Sequence, residues 1–337
     1  MRVLVTGGAG YIGSHTVVEL LASGHELVIL DNLANSSPLA VEAVRRITKR
    51  DVPLVRGDVT DGDCLDTVFG GADFDAVIHF AALKAVGESV ADPLRYFRNN
   101  VAGTATLLDR MAAHDVKAIV FSSSAAVYGD PASVPIAEDE PTRPASPYAR
   151  SKAMAEDLLR DLHAADSAWR ISVLRYFNAV GAHPSGHLGE DPMGTPPNLL
   201  PYVAQVAMGQ RDCVPVFGDD YATADGTGVR DYLHVCDLAR GHLLALEYLA
   251  AGPRFALHNL GTGRGSSVYD VIHAFERACG RALPTRIVGR RPGDVVVSIA
   301  DPRRANADLD WQPVHDLDDC CRDMWRWCQA HPNGFGG

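Results

Sequence analysis

Thr6-Gly7-Gly8-Ala9-Gly10-Tyr11-Ile12-Gly13 decides the fold. The apolar run Arg2-Val3-Leu4-Val5-Thr6 leads into it and a helix-like stretch opens near Tyr11, so the glycines occupy a strand-to-helix turn. Glycine permits a tight turn and close backbone approach to a bound group. The free N–H groups and partial positive charge of a helix N-terminus attract a pyrophosphate. An ordinary glycine turn is the competing reading; the strand before and the helix after favour a dinucleotide loop.

Working outward, Asp31 closes the next apolar run, Glu26-Leu30, 18 residues after Gly13. That is near the ~20-residue spacing of an acid that accepts hydrogen bonds from an adenosine ribose. A carboxylate there repels a 2′-phosphate and selects NAD over NADP. Asp58, in Arg56-Gly57-Asp58-Val59, reads as a contact to the adenine edge or as a turn former. Further runs at Pro53-Arg56, Ala76-Phe80, Ala118-Ser122 and Ser172-Arg175 alternate with helix-like stretches. Rich in Val, Ile and Leu without strict alternation, they match strands covered on both faces.

The fold class is therefore α/β: a Rossmann-like, doubly wound parallel sheet over residues 1–178, then a smaller substrate domain over residues 179–337. Gly181 to Pro197, crowded with Gly, Pro and His, marks the loop between them. A segment near 231–262 reads as returning to the first domain. Asp231-Tyr232-Leu233-His234-Val235 precedes a helical stretch through about Leu249, and His258-Asn259-Leu260 reads as one more strand, so the domains interleave.

Composition narrows the function. A net charge of -11 opposes a nucleic-acid backbone, and no Lys/Arg stripe overrides it. No apolar run reaches the length of a membrane span, and the first strand starts at Met1 without a leader, so the expected location is the cytosol. Seven cysteines, odd in number and without CxxC pairs, read as reduced structural thiols.

The chemistry lies in Ser146-Pro147-Tyr148-Ala149-Arg150-Ser151-Lys152. Ser before Pro starts a helix, with Ser146 as N-cap and Pro147 at the first position. Tyr148 and Lys152, four apart, share a face. A phenol with its usual pKa of about 10 is a poor base at neutral pH, but an ammonium and a nicotinamide cation both favour its phenolate. Upstream, Phe121-Ser122-Ser123-Ser124-Ala125-Ala126-Val127-Tyr128-Gly129 follows the strand Ala118-Val120 and places hydroxyls at the carboxyl end of a parallel sheet, where ligands bind. Ser124 is the candidate relay between a sugar hydroxyl and Tyr148.

With Leu83-Lys84-Ala85-Val86-Gly87-Glu88-Ser89, Leu174-Arg175-Tyr176-Phe177-Asn178 and Asp225-Gly226-Thr227-Gly228-Val229-Arg230-Asp231-Tyr232, these stretches make the chain resemble the extended short-chain dehydrogenase/reductases along essentially its whole length. Within them it is similar to the UDP-glucose 4-epimerase family. The resemblance implies a homodimeric isomerase with tightly bound NAD. Tyr148 would take the proton from the sugar 4-hydroxyl while NAD takes the hydride from carbon 4; the 4-keto sugar then turns and is reduced on its other face.

The resemblance assigns the cofactor to Gly7, Gly10, Tyr11, Ile12, Gly13, Asp31, Asn32, Asn35, Ser36, Asp58, Val59, Phe80, Ala81, Ala82, Lys84, Asn99, Ser122, Tyr148, Lys152 and Tyr176. It assigns the substrate to Lys84, Ser124, Tyr148, Asn178, Asn198, Leu199, Phe217, Arg230, Tyr232, Arg291, Asp294 and Ser298. The two arginines suit the diphosphate, since a guanidinium offers a planar set of donors. Phe217 would meet uracil and Asp294 ribose. The chain departs from the family at Ser298, where bacterial members restricted to glucose and galactose commonly have Tyr. Serine leaves room for an acetamido group, so UDP-GlcNAc and UDP-GalNAc are expected substrates beside UDP-glucose and UDP-galactose.

His183, His187, Glu190 and Asp191 have some metal-ligand character, but the family carries a similar loop without a metal and none is expected. Sugar-nucleotide 4,6-dehydratases and UDP-glucuronate decarboxylases place acids where this chain has Ala125 and Ala126. A UDP-glucuronate 4-epimerase uses the same Ser, Tyr and Lys and differs only in its substrate pocket. A non-catalytic dinucleotide-sensing protein would typically lack the Tyr/Lys pair.

Overall fold

The computed structural model describes every residue except Met193, Thr195, Pro197, Pro253, Pro292 and Gly337. Parts of the Gly181 to Pro197 loop and Pro292 of the Arg291–Asp301 segment thus lie outside the described residues.

The chain opens β1 (Arg2–Thr6), α1 (Tyr11–Ala22), β2 (Glu26–Asp31), α2 (Pro38–Thr48), β3 (Leu54–Arg56), α3 (Gly62–Gly70) and β4 (Ala76–His79). Two short helices, α4 (Val86–Ala91) and α5 (Pro93–Tyr96), lead through a π-helical turn at Phe97–Ala102 into α6 (Gly103–Ala113). Then come β5 (Ala118–Ser122), a 3-10 turn at Ala125–Tyr128, α7 (Pro147–Ala165), β6 (Arg170–Tyr176) and β7 (Asn178–Val180). The remainder runs α8 (Leu199–Ala207), β8 (Val214–Phe217), β9 (Val229–Arg230), β10 (Tyr232–His234), α9 (Val235–Ala250), β11 (Phe255–Leu260), β12 (Ser266–Ser267) and α10 (Val268–Cys279). It ends with β13 (Thr285–Val288), β14 (Val297–Ser298), α11 (Arg303–Leu309), α12 (Leu317–Ala330) and β15 (Pro332–Phe335).

Seven strands form one parallel sheet in the order β11-β6-β5-β4-β1-β2-β3. The chain reverses direction across the sheet between β1 and β4, the switch point at which open α/β sheets bind ligands. Strand pleating divides the core: Val3 and Val5 pack on one face with α1, α2 and α9, while Leu4 points to the other with α3, α6 and α7. That two-sided burial is why the strands read as continuous apolar runs.

Boundaries moved by small amounts for local reasons. Pro53 has no N–H to give a ladder and stands before β3, its carbonyl accepting from Ile29 N. Val235 opens α9 rather than closing β10. In the segment 231–262, α9 packs along α1, and β11 pairs beside β6 from Phe255 rather than His258. A second lobe gathers α8, α10 and α12 with the pair β8–β13 around Phe275 and Trp327, both fully or almost fully buried. Truncating a buried aromatic of this kind costs about 3–5 kcal/mol.

Candidate active site

The glycine loop closes on itself. Gly10 N donates to Gly7 O, and a Cβ at Gly13 would come within 2.3 Å of that same carbonyl. Gly10 differs, since a Cβ there would meet only Gly7 O, at 3.3 Å. Packing within the protein therefore makes a weaker demand for glycine at Gly10, and the open side of the loop fits an approaching phosphate. Asp31 fixes the loop from the next strand. Its carboxylate accepts from Ala9 N at 3.0 Å, Leu33 N at 2.9 Å and Ser36 Oγ at 2.7 Å. Asn32 donates to Asp58 Oδ2 at 2.8 Å. Burial raises the Asp58 pKa, but donors from Asn32 and Thr60 outweigh it and hold the carboxyl below its usual range.

Behind β1 and β4, His79 stands between Thr6 Oγ1 at 2.6 Å and Thr104 Oγ1 at 3.0 Å. Burial, with Lys152 adding to it, pushes its pKa down to about 3, so the imidazole is a neutral strut. Asn100, in the π-helical turn, donates to Leu83 O and Ser151 Oγ, both at 3.0 Å, and accepts from Leu83 N and Asn99. It thereby ties the loop after β4, which carries Phe80, Ala81, Ala82 and Lys84, to α7. Such turns recur at functional sites because they re-aim side chains within a helix.

Helix α7 starts as its sequence dictates: Ser146 Oγ accepts from Ala149 N at 3.1 Å, with Pro147 at the first position. Tyr148, Lys152 and Glu156 follow at successive turns, and all three are buried. Lys152 Nζ donates to Ser122 O at 2.8 Å and lies 4.9 Å from the centre of the Phe121 ring. Burial draws its pKa down to about 8, against the pull of Glu156. The ammonium thus anchors to the end of β5, a turn away from the phenol it was expected to assist. Burial, and then Tyr176, push the Tyr148 hydroxyl well above the ordinary phenol range, while a hydrogen bond with Ser124 pulls the other way. Ser124 itself caps the 3-10 turn by accepting from Ala126 N.

Sequence reasoning missed the support beneath this cluster. Arg175 Nε donates to both Glu156 oxygens at 3.0 and 3.2 Å, and Ser123 donates to the same carboxylate. Arg175 and Glu156 side chains are only 3% and 2% exposed. The guanidinium also stacks on Tyr128, whose hydroxyl donates to Asn259 Oδ1 on β11 at 2.6 Å. The available signal was a carboxylate one turn beyond Lys152 on the same buried face.

Beyond the sheet edge a half-open hollow lies on the second lobe. Asn178, Asn198, Leu199, Phe217, Arg230, Tyr232, Arg291 and Asp294 line it, all eight of them among the expected substrate residues. Tyr202, Pro215, Tyr221 and Val268 line it too and were not anticipated. Arg291 stacks over Phe217 at 4.3 Å, and Arg230 faces Asp294 at 3.9 Å. Asp231 explains why the arginine is held in place. Its buried carboxylate accepts from Thr262 N, Gly263 N and Ala300 N, joining β9 and β10 to the segments after β11 and β14. Ser298 pairs in register with Arg230 on the neighbouring strand but does not line the hollow itself. Glu190 binds Lys84, Asp191 accepts from Phe335 N, and His183 contacts Ser185. Among the described residues no three His, Cys, Asp or Glu groups converge as metal ligands.

The family model for the NAD dependent epimerase/dehydratase family matches residues 3–261. The UDP-glucose 4-epimerase of Bacillus subtilis (strain 168) is 53% identical over 335 residues, 99% of each chain. A crystal structure of UDP-glucose 4-epimerase from Bifidobacterium longum in complex with NAD+ and UDP superposes with a TM-score of 0.96 at 50% identity, covering 99% of this chain and 100% of that one. The enzyme from Stenotrophomonas maltophila, with bound NAD and formylated UDP-arabinopyranose, gives 0.97 at 51%, with coverages of 98% and 99%.

Proposed function

The chain belongs to the NAD dependent epimerase/dehydratase family, within its UDP-glucose 4-epimerases, and from that premise we propose how it inverts carbon 4 of UDP-hexoses. The observation that carries the proposal is the set of buried Tyr148 and Lys152 with half-buried Ser124 at the carboxyl edge of a parallel sheet, together with a hollow lined by two arginines. The glycine loop with Asp31, Asn32, Asn35, Ser36, Asp58 and Val59 holds the adenosine diphosphate half of NAD. Phe80, Ala81, Ala82, Asn99, Ser122 and Tyr176 hold the rest. When bound, NAD supplies the acceptor and donor of hydride at carbon 4.

The residues manage the proton. Burial and the neighbouring Tyr176 keep Tyr148 protonated; with a nicotinamide bound, its positive charge, Lys152 and a hydrogen bond from Ser124 would lower that pKa so that Tyr148 takes the proton from the 4-hydroxyl. Returning that proton to the ketone oxygen completes the inversion. Arg230 and Arg291 hold the diphosphate, Phe217 and Leu199 flank the base, and Asn178, Asn198, Tyr232 and Asp294 orient the rest. The fixed diphosphate allows the 4-keto sugar to turn without leaving. Residues 1–178 with the returning segment 231–262 form the NAD domain, and the remainder of 179–337 forms the UDP-sugar domain.

Ser298, small and one strand from Arg230, leaves space at carbon 2, so UDP-GlcNAc and UDP-GalNAc are substrates as well. Ser298→Tyr should abolish their turnover and spare UDP-galactose; unchanged turnover of UDP-GlcNAc would remove that assignment. The working unit is a homodimer. Val86 and Val90 on α4, Leu94 on α5 and Met154 on α7 are exposed apolar side chains on helices that pack together. Leu94→Glu should shift sedimentation toward the monomer. The seven unpaired thiols support a reducing, cytosolic location.

The test is to incubate the purified protein, without added cofactor, with UDP-galactose and separately with UDP-GalNAc, following products by chromatography. Conversion of both is expected. Failure with UDP-galactose even after NAD is added would overturn the reading.

A further inference from the structure

Two consecutive arginines follow β13, and each lies over an aromatic ring of the hollow. Arg291 covers Phe217 at 4.3 Å, and Arg290 covers Tyr221 at 4.1 Å. Both rings line the hollow, Phe217 from the end of β8 and Tyr221 from the turn that follows it. Arg290 does not line the hollow itself. Its guanidinium is tied instead to Asp220, with Nε donating to Asp220 Oδ1 and Nη2 to Asp220 O, both at 2.6 Å.

Gly218 lets ring and arginine close on each other. At φ +88° a Cβ there would stand 2.7 Å from Arg290 Cγ and 2.9 Å from Tyr221 Cε2, a space that only glycine leaves open. The strands add a second hold: Val288 stands opposite Phe217 in the β8–β13 pair, and its carbonyl accepts from Gly218 N at 2.9 Å. Stability does not account for the arrangement. The Arg290 and Asp220 side chains are 46% and 71% exposed, and ion pairs that open to water contribute little to folding. What the guanidinium fixes is the place of Tyr221, which is itself buried.

We propose that Arg290 is a positioning residue for the nucleotide: it holds Tyr221 and the turn after β8 as a rigid wall against which the uridine half of the substrate packs beside Phe217. The task suits arginine, whose planar fork stacks on a ring and makes two directed hydrogen bonds at once. This inference rests on the epimerase reading, which sets the base at Phe217.

The experiment measures UDP affinity by calorimetry, with kcat and KM for UDP-galactose, in wild type, Arg290→Met, Tyr221→Leu and the double variant. Arg290→Met alters a half-exposed position and should fold normally. UDP should bind it about fivefold more weakly, with KM raised by a similar factor and kcat within about twofold. Tyr221→Leu keeps apolar bulk without the flat ring and should weaken UDP at least as much. Because the arginine acts through the ring, the double variant should bind UDP no more than about twofold more weakly than Tyr221→Leu alone. Effects that multiply would mean that Arg290 acts by its own charge, and UDP affinity within about twofold of wild type in Arg290→Met would mean that it has no part in binding; either result overturns the assignment. A wild type that fails to bind UDP would instead remove the epimerase reading beneath it.

Discussion

The floor of the cleft and its outer hollow are built on different principles. The floor stands on regular elements: Tyr148, Lys152 and Glu156 repeat along one face of α7, and Ser122 ends β5 with Ser123 and Ser124 directly after it. Its buried charges are tied to a second element, Lys152 to Ser122 O and Glu156 to Arg175. The outer hollow is assembled from loops, strands of two to four residues and the first turns of α8 and α10, drawn from Asn178 through Asp294. Its arginines stack and pair loosely, with Arg230 and Asp294 at 3.9 Å. Bond making needs fixed geometry, which a sheet edge and a long helix provide; holding a flexible nucleotide tolerates loops.

The sharpest way to break this contrast is Tyr148→Phe. It should lower kcat on the order of 10²–10⁴-fold while UDP affinity, read by calorimetry, stays near wild type. A comparable loss of affinity would mean that floor and hollow are not separable. Next comes Arg175→Met, which strands the Glu156 charge inside the protein. Urea unfolding should show a loss of about 3–5 kcal/mol, and a loss under about 1 kcal/mol would show that the floor is less rigid than its bonds indicate. Phe217→Ala tests the hollow, where UDP binding should weaken by about 1–3 kcal/mol with kcat little changed. The smallest effect is in the pH profile. Burial sets the Lys152 pKa to about 8; the ammonium is present below that value and lost above it, so kcat should decline as pH rises through about 8. Lys152→Met should be slow and lack that limb.

The same contrast governs what could be read from the sequence. Strands covered on both faces appear as apolar runs, so the sheet of residues 2–176 and the return of 255–260 were legible to within a few residues. The glycine loop and the Ser146-Pro147-Tyr148 helix start carry local rules of turn and cap. In the hollow no local period exists: β9, β12 and β14 have two residues each, and Tyr202, Tyr221 and Val268 enter it only through tertiary packing. Glu156, Arg175 and Asn100 escaped for another reason. Charged or polar side chains in helices and strands ordinarily face water, and only the fold shows that these face inward.

The sheet is also completed out of order. β6 ends at Tyr176, but its outer neighbour β11 begins only at Phe255, about 80 residues later. At 5–20 residues per second, a ribosome leaves that edge open for roughly 4 to 16 seconds. During that interval the nascent chain presents Ile171, Val173 and Leu174 on an unpaired parallel edge, the kind of surface that recruits other strands. The interleaving that closes the cleft therefore makes the newborn polypeptide depend on prompt elongation or on chaperones, and a fragment ending near residue 178 should aggregate rather than bind NAD.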